Sequence, residues 1–264
     1  MNGKSFNFHL YFKSAIIKPQ KMTLITSAVI GFAAGFMSGM FGIGGGSIRT
    51  PLLYMAGVPL LNAFGINLLV IPFSSLIGAI SHRKNISWKW APYVIIGGAS
   101  GSIIGAFLVG LIQTFVLAII FVVISLLTVS GIYLDRIAPK LAQKINPNAK
   151  NMVGGTFILN LLTGMRGGSG GSLFPSFLRT MRLDMRKAIA TSLFATIFTA
   201  TAAAIIYWYR GDILWLPALA VIAGSIAGAR IGSLVSLKTK PFWLEIGLSV
   251  LVVMLALIVL FKAL

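Results

Sequence analysis

The sequence contains no cysteine, two histidines (His9 and His82) and four acidic residues among 264. Without cysteine there are no disulfides and no thiolate chemistry, and two histidines cannot build a multi-histidine metal site. There is no His-Glu-x-x-His, no pair of intramembrane aspartates, and no Gly-x-Ser-x-Gly elbow with a histidine nearby. An enzyme is therefore not expected, nor is a metal or other cofactor. Charge as a whole is scarce, at 10% of residues, where a soluble domain carries about a quarter. Hydrophobic residues make up 57% and mean hydropathy is +0.94. Such a chain cannot cover a water-facing surface, so it reads as an integral membrane protein with the lipid bilayer as its partner.

The charge that is present has one sign. Lys and Arg number 22 against 4 Asp and Glu, a net +18. In a soluble protein that would suggest nucleic acid. Here the basic residues sit in short loops beside apolar runs, as in cytoplasmic loops, and never form a polar face with interleaved aromatics. No nucleic-acid partner is expected. The basic N-terminus (Lys4, Lys13, Lys18, Lys21) precedes an apolar run over 22–40 that is longer than a usual signal-peptide core. The run reads as retained, with residues 5–17 expected as a short helix on the membrane surface.

Eight apolar segments follow, most of them near the roughly 20 residues that span a bilayer as helix. They cover 22–40 (continuing to about 56), 60–81, 90–112, 115–134, 152–165 with 175–178, 188–209, 214–237 and 242–261. The expected fold is all-α and polytopic, with two homologous four-segment repeats. Residues 1–21 form a basic surface segment, 22–134 the first repeat, 135–151 a polar linker and 152–264 the second repeat. A shift of 125 residues places Gly39, Gly42, Gly45, Gly46 and Ser47 on Gly164, Gly167, Gly170, Gly171 and Ser172, and Asn67 on Ser192. A shift of 127 places Gly97, Gly101 and Gly105 on Gly224, Gly228 and Gly232. Those ladders have the small-xxx-small spacing of tightly packed membrane helices. The tryptophans (Trp88, Trp90, Trp208, Trp215, Trp243) lie near segment ends and read as an interface belt.

The first segment of each repeat is broken by glycines: Phe41-Gly-Ile-Gly-Gly-Gly-Ser-Ile-Arg-Thr-Pro51 and Met165-Arg-Gly-Gly-Ser-Gly-Gly-Ser-Leu-Phe-Pro175. Glycine costs a helix interior about 1 kcal/mol relative to alanine, so each run should unwind and a proline-led helix restart after it. If the broken segments simply cross, the repeats are parallel. If they make re-entrant hairpins, the repeats are inverted, and the short fifth segment favours this. Setting aside Arg49, Arg166 and Arg230, the Lys and Arg divide 13 to 6 either way, so the positive-inside rule does not choose.

Unwound backbone leading into a helix exposes N–H donors, and glycine lets an anion approach them. The candidate donors are Gly44, Gly45, Gly46 and Ser47 in the first break, and Gly168, Ser169, Gly170, Gly171 and Ser172 in the second. Arg49 and Arg166 add guanidinium groups suited to an oxyanion. With Arg230 they outnumber Glu245, the acidic residue inside an apolar run, so an anionic ligand is implied. For Arg230, snorkelling or a Glu245 pair is the expectation. Asn67 and Ser192, on the segments after the breaks, are candidate lining groups. The plainer alternative for the glycines is tight helix crossing.

At these residues the sequence resembles the TauE/SafE family of anion exporters. The likeness rests on Gly39-Met-Phe-Gly-Ile-Gly-Gly-Gly46 followed by Pro51-Leu-Leu, Gly57-Val-Pro and Ala63, and on Ala188-x-Ala-Thr-Ser-Leu193 in the second half. It implies a multi-pass transporter of the cell (inner) membrane that moves sulfite, a sulfonate or a related sulfur oxyanion, coupled to an ion gradient. The coupling ion, proton or sodium, stays open, and so does assembly as a homo-oligomer. An uncoupled anion channel and a non-transporting scaffold are the alternatives.

Overall fold

The computed structural model describes residues 23–109, 113–133, 137–140, 147–165 and 167–261. The expected surface segment 1–21, much of the polar linker and Arg166 lie outside the described residues. The described chain is helical: α1 (Leu24–Phe41), α2 (Gly46–Met55), α3 (Leu60–Ser81), α4 (Ala91–Phe107), α5 (Thr114–Ile132), α6 (Ala149–Gly164), α7 (Phe174–Thr180), α8 (Met185–Tyr209), α9 (Trp215–Lys238) and α10 (Pro241–Phe261). Short 3-10 turns lie at Arg83–Asn85 and Gly170–Ser172. Among the described residues, five helices are long and apolar enough to cross a membrane: α1, α3, α8, α9 and α10. Local sequence sets the starts. Thr23 Oγ1 accepts from Thr26 N at 3.1 Å to cap α1, and Asn148 Oδ1 accepts from Asn151 N at 2.7 Å to cap α6.

Two glycine-lined contacts bring helices from the two halves together. A side chain at Gly224, Gly228 or Gly232 of α9 would collide with the carbonyl of Ala28, Phe32 or Phe36 of α1. Gly31, Gly35 and Gly39 of α1 meet Val221, Ser225 and Ala229 of α9 in return. Numbers rise together on both helices, so α1 and α9 run in the same direction. In the same way Gly97, Gly101 and Gly105 of α4 press on Val153, Phe157 and Leu161 of α6. Backbones approach this closely only where Cβ is missing. Between these pairs α3 and α8 run antiparallel, with Phe64, Leu68 and Ile71 clustered against Ala200, Ala203 and Tyr207.

Hydrogen bonds define two ends of the bundle. At the first end, Asn62 Nδ2 donates to the Asp212 carbonyl at 3.0 Å and Arg210 Nη1 to the Ala106 carbonyl at 3.4 Å. This gathers the start of α3, the end of α4 and the α8–α9 turn. At the second end, Arg186 Nη2 donates to the Leu237 and Thr239 carbonyls, both at 3.3 Å. Ser87 N donates to Thr191 Oγ1 at 2.9 Å. That gathers the α3–α4 turn, the start of α8 and the end of α9. Trp208 and Trp215 stack edge to face at the first end, while Trp88 and Trp243 are exposed at the second, as a belt at both interfaces requires.

After each glycine break the chain doubles back. A methyl at Gly45 would sit 2.7 Å from the Ala34 carbonyl, and Leu53 of α2 shares a buried cluster with Ile30 of α1. In the second half, Gly168 N donates to the Thr163 carbonyl at 2.9 Å and Gly155 of α6 lies under the Phe177 ring of α7. Three glycines with left-handed φ make the first reversal: Gly42 at 75°, Gly44 at 70° and Gly45 at 74°. Residues with a Cβ adopt this region only at a cost. The proline expectation holds for one break. Pro175 is in the first turn of α7, whereas Pro51 lies inside α2, which already begins at Gly46. The first turn of α2 is held by Arg49 N donating to the Gly45 carbonyl at 2.9 Å.

Candidate functional site

The two breaks meet at mid-bundle. A methyl on Gly44 would lie 3.1 Å from Thr196 Cγ2, 3.7 Å from Ser169 Oγ and 3.7 Å from Ile71. One on Gly171 would lie 2.8 Å from Thr196 Oγ1 and 3.3 Å from the Ile43 carbonyl. Ile71 and Thr196 are central on the two antiparallel helices α3 and α8, so both breaks face the same level from opposite ends.

Each break is held by the helix that follows the other. Asn67 Nδ2 donates to the Gly167 carbonyl at 3.3 Å, and Ser192 Oγ donates to the Gly42 carbonyl at 2.6 Å. Both donors and both acceptors are related by the same shift of 125 residues. Asn67 and Ser192 are thus fully buried braces of the breaks, and Asn67 also touches the guanidinium of Arg49.

Arg49 is fully buried. Its Nη1 donates to Asn67 Oδ1 at 2.8 Å and its Nη2 to Ser225 Oγ at 3.1 Å, while Nε has no partner. Ser225 Oγ in turn donates to the Gly31 carbonyl at 2.9 Å. The side chain therefore does not snorkel. Nor does any described carboxylate neutralise it, for each is engaged elsewhere: Glu245 with Arg179 at 2.7 Å, Asp212 with Arg210 at 3.1 Å and Asp184 with Lys187 at 3.3 Å. Arg230 pairs with neither Glu245 nor the site; it donates to Ser81 Oγ at 2.8 Å near the second end. A guanidinium at the bilayer centre costs about 3 kcal/mol on insertion scales, and here it has only neutral partners among the described residues.

Of the expected backbone donors, Gly44, Gly45, Gly46, Ser47, Ser169, Gly171 and Ser172 have N–H groups that make no hydrogen bond among the described residues. Two are consumed: Gly168 by the Thr163 carbonyl, and Gly170 by Asn160 Oδ1 at 2.8 Å. Two buried hydroxyls at the meeting point, Ser169 Oγ and Thr196 Oγ1, also lack partners. Unpaired buried donors are rare and costly. Open N–H groups, two free hydroxyls and an unneutralised guanidinium all favour an oxyanion at this place.

Sequence reasoning missed Asn160, Ser225 and Thr196. Asn160 accepts from Ser102 Oγ and Gly170 N, both at 2.8 Å, and so fixes the second break from the helix that precedes it. Its signal was an amide in the middle of an apolar run. The halves also differ in charge. The 125-residue shift sets Phe174 against Arg49 and Asn160 against Gly35, so among the described residues the charge comes from the first half.

A family profile described as "Sulfite exporter TauE/SafE" matches residues 27–259. Two proteins of Bacillus subtilis (strain 168) are similar: "Probable membrane transporter protein YunE", 25% identical over 83% of this chain and 90% of its own length, and "Probable membrane transporter protein YjnA", 24% identical over 82% and 92%. "Probable membrane transporter protein MJ0441" of Methanocaldococcus jannaschii is 26% identical over 84% of this chain and 89% of its own. No solved structure matches the chain. The profile spans nearly every described helix, both breaks included, and the chain belongs to the TauE/SafE sulfite exporter family of multi-pass membrane proteins.

Proposed function

We propose that this protein moves a small sulfur-containing oxyanion, such as sulfite or a short sulfonate, across the cell (inner) membrane by alternating access around the two breaks. Arg49 neutralises the anion, and the N–H groups of Gly44 to Ser47, Ser169, Gly171 and Ser172 replace its hydration shell. Arg166 is the second neutralising group in this proposal. The observation that carries the reading is Arg49: fully buried, without a carboxylate among the described residues, beside open N–H groups. A structural arginine would be expected to have a counterion; a carrier's arginine has one when loaded.

In this reading the halves are inverted repeats, each starting with a re-entrant hairpin. Three observations support it: the fold-back after each break, the exchange in which α1 lies beside α9 and α6 beside α4, and the reciprocal braces of Asn67 and Ser192. Discontinuous helices meeting at mid-membrane are a known transporter device. Among the described residues the second end carries Arg83, Lys84, Arg179, Lys187, Lys238 and Lys240 and the first end Arg210, which in this reading makes the second end cytoplasmic. The native chain has no cysteine, so Lys84→Cys and Trp215→Cys should label with membrane-impermeant maleimide from opposite faces.

The test of function is flux of radiolabelled sulfite and taurine-like sulfonates into proteoliposomes. Arg49→Ala and Arg166→Ala should abolish flux while the protein remains folded and monodisperse. Normal flux in both variants would refute the assignment. Saturable, trans-stimulated flux is expected of a carrier; flux linear in concentration would turn the reading to a channel.

A further inference from the structure

At the second end, four helix termini enclose a polar ring separate from the central site. His82, just beyond α3, is 1% exposed, and beyond the Gly39 backbone its ring nitrogens have no hydrogen-bond partner among the described residues. It lies beside the Gly39 backbone of α1 and within the field of Arg186 on α8. Arg186 bonds the Leu237 and Thr239 carbonyls at the end of α9 through Nη2, while its buried Nε has no partner. Ser233 of α9 closes the ring by donating to the Gly39 carbonyl at 3.4 Å. Ser38 and Ser236, one residue from Gly39 and from Leu237, are fully buried with hydroxyls that also lack partners.

We infer that this ring is a second oxyanion site, at the cytoplasmic end of the route, and that it takes up one proton on His82 together with the anion. The inference rests on the transport reading only for its place in a route. The chemistry is in the donor set. Arg186 Nε, one nitrogen of a protonated His82 and two hydroxyls are donors without acceptors among the described residues, and an oxyanion is the ligand class that supplies acceptors to such a set. Arg186 is six residues before Ser192, under two turns of α8 from the Gly42 brace, so the ring lies between the centre and the basic face.

Proton uptake follows from the surroundings of His82. Burial pushes its imidazole down to about 4; the Gly39 backbone opposes this and the positive Arg186 adds to it. Arg186 is the charged group that acts on it most: α1 presents Ser38 and Gly39, α9 presents Ser233 and Ser236 with Lys238 exposed and the exposed Arg230 held on Ser81 Oγ at 2.8 Å, and the following Arg83 and Lys84 are exposed. An anion in the ring would reverse the sign of the local field and favour the imidazolium. One anion and one proton then enter together, which assigns the coupling ion to a proton and its carrier to His82. Glu245, the intramembrane carboxylate, is bound to Arg179.

The experiment is calorimetric titration of sulfate into detergent-purified Arg49→Gln protein, in which the central site is disabled. Sulfate stays fully ionised across the pH range used, so any pH dependence belongs to the protein. Arg49→Gln should still bind one sulfate, with affinity rising about tenfold per unit of acidification while His82 takes up a proton, and with about one proton consumed per sulfate in buffers of different ionisation enthalpy. Adding His82→Gln should remove the pH dependence and the proton uptake. Adding Arg186→Gln should abolish binding, and Arg186→Lys, which keeps the charge and checks folding, should restore it in part. Loss of all binding in Arg49→Gln while wild type binds would overturn the second site and leave the central one standing. Identical titrations of wild type and Arg49→Gln would instead overturn the central site. Binding in Arg49→Gln that ignores both pH and the Arg186 changes would overturn this inference.

Discussion

Replacing Asn67 with aspartate would give Arg49 an internal counterion. Asn67 Oδ1 already lies 2.8 Å from Arg49 Nη1, so the carboxylate needs no rearrangement to pair. With charge centres about 4 Å apart and an effective dielectric constant near 20, the attraction is about 4 kcal/mol. A site whose positive charge is spent internally loses that attraction for a ligand, and about 1.4 kcal/mol is a tenfold change in affinity. The variant should therefore bind sulfite between about tenfold and a thousandfold more weakly. The lost Nδ2 donor to the Gly167 carbonyl at 3.3 Å is a separate cost of about 1–3 kcal/mol that falls on stability. Asn67→Leu loses the same brace without adding charge, so it isolates the electrostatic part. Calorimetry on the purified proteins should rank wild type and Asn67→Leu within a few-fold of each other and Asn67→Asp far below. Equal affinity in Asn67→Asp and Asn67→Leu would refute the claim that Arg49 acts through its unneutralised charge.

Helix contacts and titration give further outcomes. Gly228→Ala drives a methyl into the Phe32 carbonyl across the α1–α9 contact and should lower thermal stability in detergent by about 1–3 kcal/mol. Gly154→Ala, with nothing within 4 Å, should be neutral or stabilising by up to about 1 kcal/mol. The imidazole of His82 sits at about 4 in the folded protein against 6.5 when unfolded. The unfolded chain then binds more protons between these values, so stability falls as pH drops through that window, by at most about 3 kcal/mol. In anion-free buffer, melting curves of His82→Gln should lack this slope. Glu245→Gln removes the negative charge from the 2.7 Å pair with Arg179 and should cost about 1–3 kcal/mol of stability without changing the pH profile of flux.

Segment edges were legible because apolar runs and their Gly, Pro and basic punctuation coincide with helix ends; the run 60–81 is α3 to the residue. The glycine breaks were legible as well, since clustered glycine has few other uses inside an apolar run. Which face of each helix turns inward was not. Lipid-facing and core-facing residues are both apolar here, so no amphipathic stripe marks the interior. That is why Ser225 and Thr196 passed unnoticed: hydroxyls in membrane helices commonly bond their own backbone, as Ser74 does to the Ile71 carbonyl at 3.1 Å. The start of α2 was misplaced for a related reason. Pro51 has the local signature of a helix opening, but Arg49, anchored to Asn67 and Ser225 on other helices, holds the turn before it in helical form.

The central claim is that two inward-turned breaks hold a dehydrated oxyanion at mid-membrane. Selenate, a tetrahedral oxyanion with a strong anomalous X-ray signal, tests it most directly in crystals of the wild-type protein. The account predicts an anomalous peak within hydrogen-bonding reach of the Arg49 guanidinium and of N–H groups from both breaks, among Gly44 to Ser47 and Ser169 to Ser172, and its loss in Arg49→Gln. Selenate-soaked crystals with no peak between the breaks, or with a peak there that survives Arg49→Gln at full height, would contradict it.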